Sequence, residues 1–114
     1  MSDCVFCRIA SGEIPARVVA RNDRALAFHD LNPQAPVHIL VMPTTHIADA
    51  NDVGRGGAEL WPAILDLAVD VARTQGIADS GYRLVINSGS HGGQSVAHLH
   101  VHVLGGRRMA WPPG

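Results

Sequence analysis

Residues Gly92–Arg107 read GGQSVAHLHVHVLGGR, and the rest of the chain is organised around this stretch. Inside it His98, His100 and His102 alternate with Leu99, Val101 and Val103. An extended strand turns successive side chains to opposite faces, so the pattern predicts three imidazoles on one face and an apolar face behind them. Neighbouring histidines then lie about 6.5–7 Å apart at Cα. That spacing lets one imidazole attack a centre while the next contacts the same substrate. The plain alternatives are a strand whose polar side merely happens to be histidine, or part of an affinity tag. Tags are usually terminal and lack apolar alternation.

Length and composition bound the rest. A chain of 114 residues is one domain, residues 1–114, with enough length for a core. Apolar residues make up 46% and charged residues 17%, a globular balance. The net charge of −1 and the lack of a basic run argue against nucleic-acid binding as the main role. No apolar stretch approaches a membrane span, and Met1–Ile9 lacks a signal-peptide pattern, so a reducing cytoplasm is the expected location. There, Cys4 and Cys7 are thiols or metal ligands rather than a structural disulfide.

Asp3–Ala10 suits a short helix, capped by Ser2 or Asp3 and stopped by Gly12, with Phe6 and Ile9 on one apolar face. Cys4-x2-Cys7 matches half of a tetrahedral zinc site; structural thiols are the other reading. A thioredoxin-like motif would need a preceding strand, and none is present. Arg17–Arg21 and Ala25–His29 read as a hairpin about the Asn22-Asp23 turn. The second strand ends at Asp30-Leu31-Asn32-Pro33, where Asp30 either caps a turn or accepts hydrogen bonds from sugar hydroxyls. Val37–Met42 is an apolar run suited to a central strand, stopped by Pro43, and His46 follows in a loop. Ala48–Gly57 reads as a linker, because Gly54-Arg55-Gly56-Gly57 lacks a phosphate-loop spacing.

From Ala58 to Gln75 the pattern is helical, with Trp61, Ile64, Leu65, Ala68, Val71 and Ala72 in register and Gly76 as the stop. Leu60, Leu67 and Val69 widen the apolar surface, which suits a subunit interface as well as core burial. Gly81–Ser88 is a further strand that brings Asn87 to the glycine-rich turn Gly89–Gly93. Glycines there permit positive φ and close approach of N–H groups to an anion, or serve only the turn. Ala97–Leu104 is the last strand, and the tail WPPG is either frayed or docked through its Trp111 ring. Five strands, one long helix and one short helix, joined mainly as hairpins, indicate an α+β fold with a mostly antiparallel sheet.

HLHVHVLGGR fits the histidine triad signature, in which three histidines alternate with apolar residues. FHDLNPQAPVHILVMP, NSGSHGGQSVAH and the terminal WPPG also resemble the histidine triad nucleotide-binding (Hint) branch, over Val5 to Gly114. The resemblance implies a homodimer that joins two five-stranded sheets into ten strands. It implies hydrolysis of purine nucleoside 5′-phosphoramidates to AMP or GMP and an amine, with aminoacyl adenylates as further substrates. Carried over residue by residue, His100 is the nucleophile and forms a nucleotidyl-histidine, while His102 contacts the phosphate and assists the leaving group. Asn87, Gly93 and Ser95 match contacts to phosphate oxygens, with Gln94 beside them. Asp30 matches the ribose-binding position, and Phe6, Ile9, Phe28, His29 and Leu31 match the base pocket.

Some relatives carry the CxxC pair, completed as a zinc site by the first triad histidine and the histidine after the proline-ended strand. Here the set is Cys4, Cys7, His46 and His98. It leaves His100 and His102 for chemistry and makes the zinc structural. Ala110 stands where relatives often carry a polar residue, in a tail that in the family reaches the partner's active site. A dinucleoside polyphosphate hydrolase of the fragile-histidine-triad kind would use the same nucleophile, but GGQSV and WPPG argue against it. The remaining rival is a nucleotide-binding or interaction module without useful turnover.

Overall fold

The structure is a computed structural model that describes residues 3–54 and 57–114. Ser2 and the middle of the Gly54–Gly57 run lie outside the described residues. Five strands, β1 (Val18–Arg21), β2 (Ala25–His29), β3 (Val37–Pro43), β4 (Tyr82–Ile86) and β5 (Val101–Gly105), form one sheet in the order β1-β2-β3-β5-β4. Every neighbouring pair is antiparallel. The first three strands follow one another as hairpin neighbours, and Asn22 Oδ1 closes the first turn by accepting from the Arg24 and Ala25 N–H groups. The chain then crosses over to β4 at the edge, and β5 returns between β3 and β4.

The crossover is α3 (Leu60–Thr74), which buries Ile64, Leu67, Ala68, Val71 and Ala72. These pack on Ala25, Ala27, Ile39, Val41, Val101 and Val103, one alternating set from the central strands. Leu67 therefore belongs to the buried stripe, and Leu65 sits at its margin, 37% exposed. The expected linker contains a one-turn helix, α2 (Ala50–Val53), capped by Asp49 Oδ1 and anchored by buried Val53. Its signal was local: an Asx cap and one apolar residue, too short for a periodicity. No described helix is long and apolar enough to cross a membrane.

The opposite face of the sheet shows Leu26, Phe28, Leu40 and Met42, covered at one end by α1 (Val5–Ala10) through Phe6. The cap of α1 is Cys4, whose Sγ accepts from the Cys7 N–H, rather than Asp3. The last strand begins later than the alternation suggests. Only Val101–Gly105 pairs on both sides, whereas 95–100 approaches it as irregular chain held by the Leu99 N–H donating to the Ile47 carbonyl. The alternation survives this, with Leu99, Val101 and Val103 wholly buried toward α3. At the end of β5 the backbone runs close to Ile77, which follows the Gln75-Gly76 stop of α3. A Cβ at Gly105 would lie 2.5 Å from Ile77 Cδ1 and 3.0 Å from its Cβ. Gly105→Ala is therefore expected to cost about 1–3 kcal/mol by overpacking, read as a lowered denaturant midpoint. A midpoint equal to the parent's would refute this tight fit.

Candidate active site

The sheet face left open beside α1 forms a cleft of about 310 Å³. Phe6, Ile9, Phe28, His29, Asp30, Leu31, Ser95, His100 and His102 all line it, as do Val5 and Leu40. Leu31 stands at the rim, 94% exposed. Its apolar wall comes from α1, β2 and β3, and its polar groups come from the ends of β2 and β5. Asn87, Gly93 and Gln94 are not among the lining residues. Gln94 is committed to the chain itself: Oε1 accepts from the Gly89 N–H and Nε2 donates to the Ala48 and Val96 carbonyls. Gly93 has φ +80°, and a Cβ at Gly92 would sit 2.6 Å from the Ser88 carbonyl oxygen, so glycine is required for the turn itself.

The three histidines differ in what holds them. His100 is buried, and its Nδ1 lies 2.7 Å from the His98 carbonyl oxygen. A carbonyl only accepts, so Nδ1 carries a proton, and in the neutral ring the lone pair is on Nε2. The Phe6 ring packs edge-on against this imidazole at 5.1 Å between centroids. His98 is wholly buried, and its Nε2–H donates to the Pro43 carbonyl at 2.9 Å. Its lone pair is therefore on Nδ1, which faces Cys4 Sγ at 3.3 Å and Cys7 Sγ at 3.5 Å. His46 Nδ1 is 3.3 Å from Cys7 Sγ. The ligand atoms of Cys4, Cys7, His46 and His98 all lie within 4.8 Å of one another. Zinc bonds of about 2.3 Å to sulfur and 2.0–2.1 Å to nitrogen place tetrahedral ligands roughly 3.5 Å apart, so this donor set fits the ion. The Pro43 carbonyl is the outer partner that such a histidine requires.

His102 reaches into a third arrangement, built on His38, a residue that sequence reasoning passed over inside an apolar run. The signal was a polar side chain in the middle of a central strand, which must find partners when buried. The Gln34 backbone N–H donates to His38 Nδ1 at 3.0 Å, so neutral His38 carries its proton on Nε2. That nitrogen lies 2.9 Å from His102 Nδ1 and 3.3 Å from Asp30 Oδ2. Asp30, His38 and His102 have the composition of a metal site, but a protonated Nε2 offers an ion no lone pair. They form a hydrogen-bond relay. It leaves His102 with Nε2–H as its remaining donor, in a side chain that lines the cleft. Asp30 Oδ1 also accepts from the Asn32 N–H at 2.8 Å, so the turn-capping role is present alongside the cleft position.

Burial lowers the pKa of His38, opposed by Asp30. Burial also lowers that of His98, with the His46 and His100 charges adding to it and the Pro43 carbonyl opposing. In His102 burial, reinforced by His100 and His38, pushes the pKa down to about 4. The unfolded chain keeps the ordinary value of 6.5. Between those values the unfolded state binds more protons, so His102's contribution to stability is present above 6.5 and is lost as pH falls toward about 4. Urea midpoints are expected to fall across that window and to fall less steeply in His102→Gln. Parallel profiles for the two proteins would remove His102 as the source.

The terminal segment docks through its backbone. Arg83 Nη2–H donates to the Ala110 carbonyl at 2.9 Å, and its guanidinium sits 6.0 Å from the Trp111 ring centroid. The ring itself stays 81% exposed.

Comparison with known proteins places this geometry. Residues 11–109 match the family model described as the HIT domain. The chain is 42% identical to the purine nucleoside phosphoramidase of Escherichia coli over 94% of this chain and 90% of that protein. It is 47% identical to the 14 kDa zinc-binding protein of Zea mays, covering 99% and 89%. The crystal structure of a HIT family hydrolase from Legionella pneumophila superposes with a TM-score of 0.95 at 53% identity, over 98% of this chain and all of that one.

Proposed function

The chain belongs to the HIT domain family, and from that premise we propose that it hydrolyses the phosphorus–nitrogen bond of purine nucleoside 5′-phosphoramidates. The observation that carries the reading is the His98 carbonyl holding His100 Nδ1–H, which leaves the Nε2 lone pair of a neutral imidazole for attack. His100 Nε2 forms a bond to the α-phosphorus as the P–N bond breaks, and the departing nitrogen takes the His102 Nε2 proton and leaves as an amine. Water then attacks the nucleotidyl-histidine, giving a proton back to His102 Nε2, releasing the mononucleotide and restoring the His100 imidazole. His102 Nε2–H donates to the phosphate, and Ser95 at the cleft edge adds a polar contact. Asp30 takes the ribose hydroxyls, with the base between Phe6, Ile9 and Phe28. The relative of that name in Escherichia coli supports the substrate class.

Cys4, Cys7, His46 and His98 would hold a structural zinc, a reading the maize zinc-binding relative supports. An ion bound there would tie α1 to the loop after β3 and to the segment leading into β5, and four protein ligands would leave no open position for substrate. The same reading includes a homodimer, which would cover the exposed Leu65, Ile86 and Trp111. Sedimentation velocity tests it, and a monomer at micromolar concentration would count against it.

The deciding experiment offers the protein adenosine 5′-phosphoramidate and diadenosine polyphosphates in parallel. Faster release of AMP from the phosphoramidate is expected. Preferential cleavage of the polyphosphates would move the protein to the other branch of the family, and AMP binding without turnover of either would make it a binding module.

A further inference from the structure

Helix α1 has six residues, well under the roughly 12–15 that an isolated helix needs. Two things hold it. Phe6 is its one buried side chain, packed edge-on to Phe28 at 5.5 Å, His100 at 5.1 Å and His98 at 5.8 Å between centroids. At its N-terminal end Cys4 and Cys7 meet His46 and His98, which come from distant parts of the chain. The same helix is a wall of the cleft, through Val5, Phe6 and Ile9. The centre and the wall therefore share one short element, whose other packing on the sheet comes from the half-buried Ile9 and Ala10.

We infer that the Cys4–Cys7–His46–His98 centre is the clasp that holds α1 against the cleft, so that zinc occupancy sets the affinity for nucleotide. This rests on the nucleotide reading above, and it makes the four ligands positioning residues of the binding wall. The α3 face of the sheet is built on a separate apolar cluster that includes none of the four, and only the opposite face carries Phe6 and Cys4. Loss of the ion therefore loosens α1 and leaves the sheet folded. Phe6 transmits the effect, because it touches both the metal-side histidine and the wall.

The test uses the zinc-loaded protein, the same protein after chelation, and Phe6→Ala in both states, with hydrogen exchange and AMP titration as readouts. Chelation is expected to speed exchange in α1 and the His46 loop, leave the β2, β3 and β5 amides protected, and weaken AMP binding about tenfold. Phe6→Ala should retain one zinc per chain and weaken AMP binding by a similar factor. Chelating that variant should then cost little more, a non-additivity that a remote structural metal would not produce. Unchanged AMP affinity and α1 exchange after chelation would overturn the clasp, as would loss of protection throughout the sheet. Full additivity with Phe6→Ala would overturn the route through that ring. A zinc-loaded parent that binds no AMP would instead refute the nucleotide reading, and exchange would still decide whether the ion holds α1.

Discussion

His100→Ala is expected to reduce the hydrolysis of adenosine 5′-phosphoramidate by about three orders of magnitude or more, while AMP still binds. The size follows from the role. Removing a group that forms the covalent intermediate removes the reaction path, and only binding and electrostatic positioning remain. His102, its neighbour, cannot substitute, because its Nδ1 faces the protonated Nε2 of His38 at 2.9 Å. Its other nitrogen carries a proton and has no lone pair to offer phosphorus. Because His100 is buried against Phe6, alanine also leaves a small void. His100→Gln keeps most of the volume and should show the same loss of turnover with a smaller change in thermal midpoint. Rapid-quench trapping of protein-bound nucleotide should succeed with the parent and fail with both variants. Hydrolysis within tenfold of the parent in either variant would remove His100 from the nucleophile's role.

Much of this site was legible before any coordinates. Period-two alternation from Leu99 to Val103 set the buried face correctly, because apolar residues at alternate positions have only one way to meet α3. The alternation could not show where strand pairing ends. His98 and His100 lie outside the ladder, and their positions come from the Ile47 and Pro43 carbonyls far away in sequence. The meeting of Cys4 and Cys7 with His46 and His98 was reached only through family resemblance, since spacing alone yields half a site. His38 was missed because one polar residue in VHILVM changes an apolar average very little. What singles it out is burial with three polar partners, a property of the fold. Gln94 was placed beside the phosphate, yet its amide is occupied by three backbone groups that no local pattern links to it.

His98→Ala should behave in the opposite way, losing stability while keeping chemistry. The ring is wholly buried, and its removal deletes packing with Phe6 and strands the Pro43 carbonyl without its donor. A buried cavity and an unsatisfied acceptor together cost about 3–5 kcal/mol, and on the proposed zinc reading loss of a ligand adds to this at any zinc concentration that fills the parent site. For a domain of this size the thermal midpoint should drop by roughly 10 °C or more. His100, the proposed nucleophile, is held by the backbone carbonyl of residue 98, which alanine retains, so kcat for the folded fraction should stay within about tenfold of the parent. On the proposed clasp KM should rise, because α1 would no longer be held as the wall. The measurement is therefore a pair: unfolding midpoint and steady-state kinetics at a temperature where the variant is folded. A variant with the parent's midpoint and abolished kcat would assign His98 to the chemistry and His100 to the scaffold, reversing the division of labour along HLHVH. The expected pattern, midpoint lost with kcat kept for His98 and kcat lost with midpoint kept for His100→Gln, can arise only if neighbouring imidazoles on one chain segment serve separate ends.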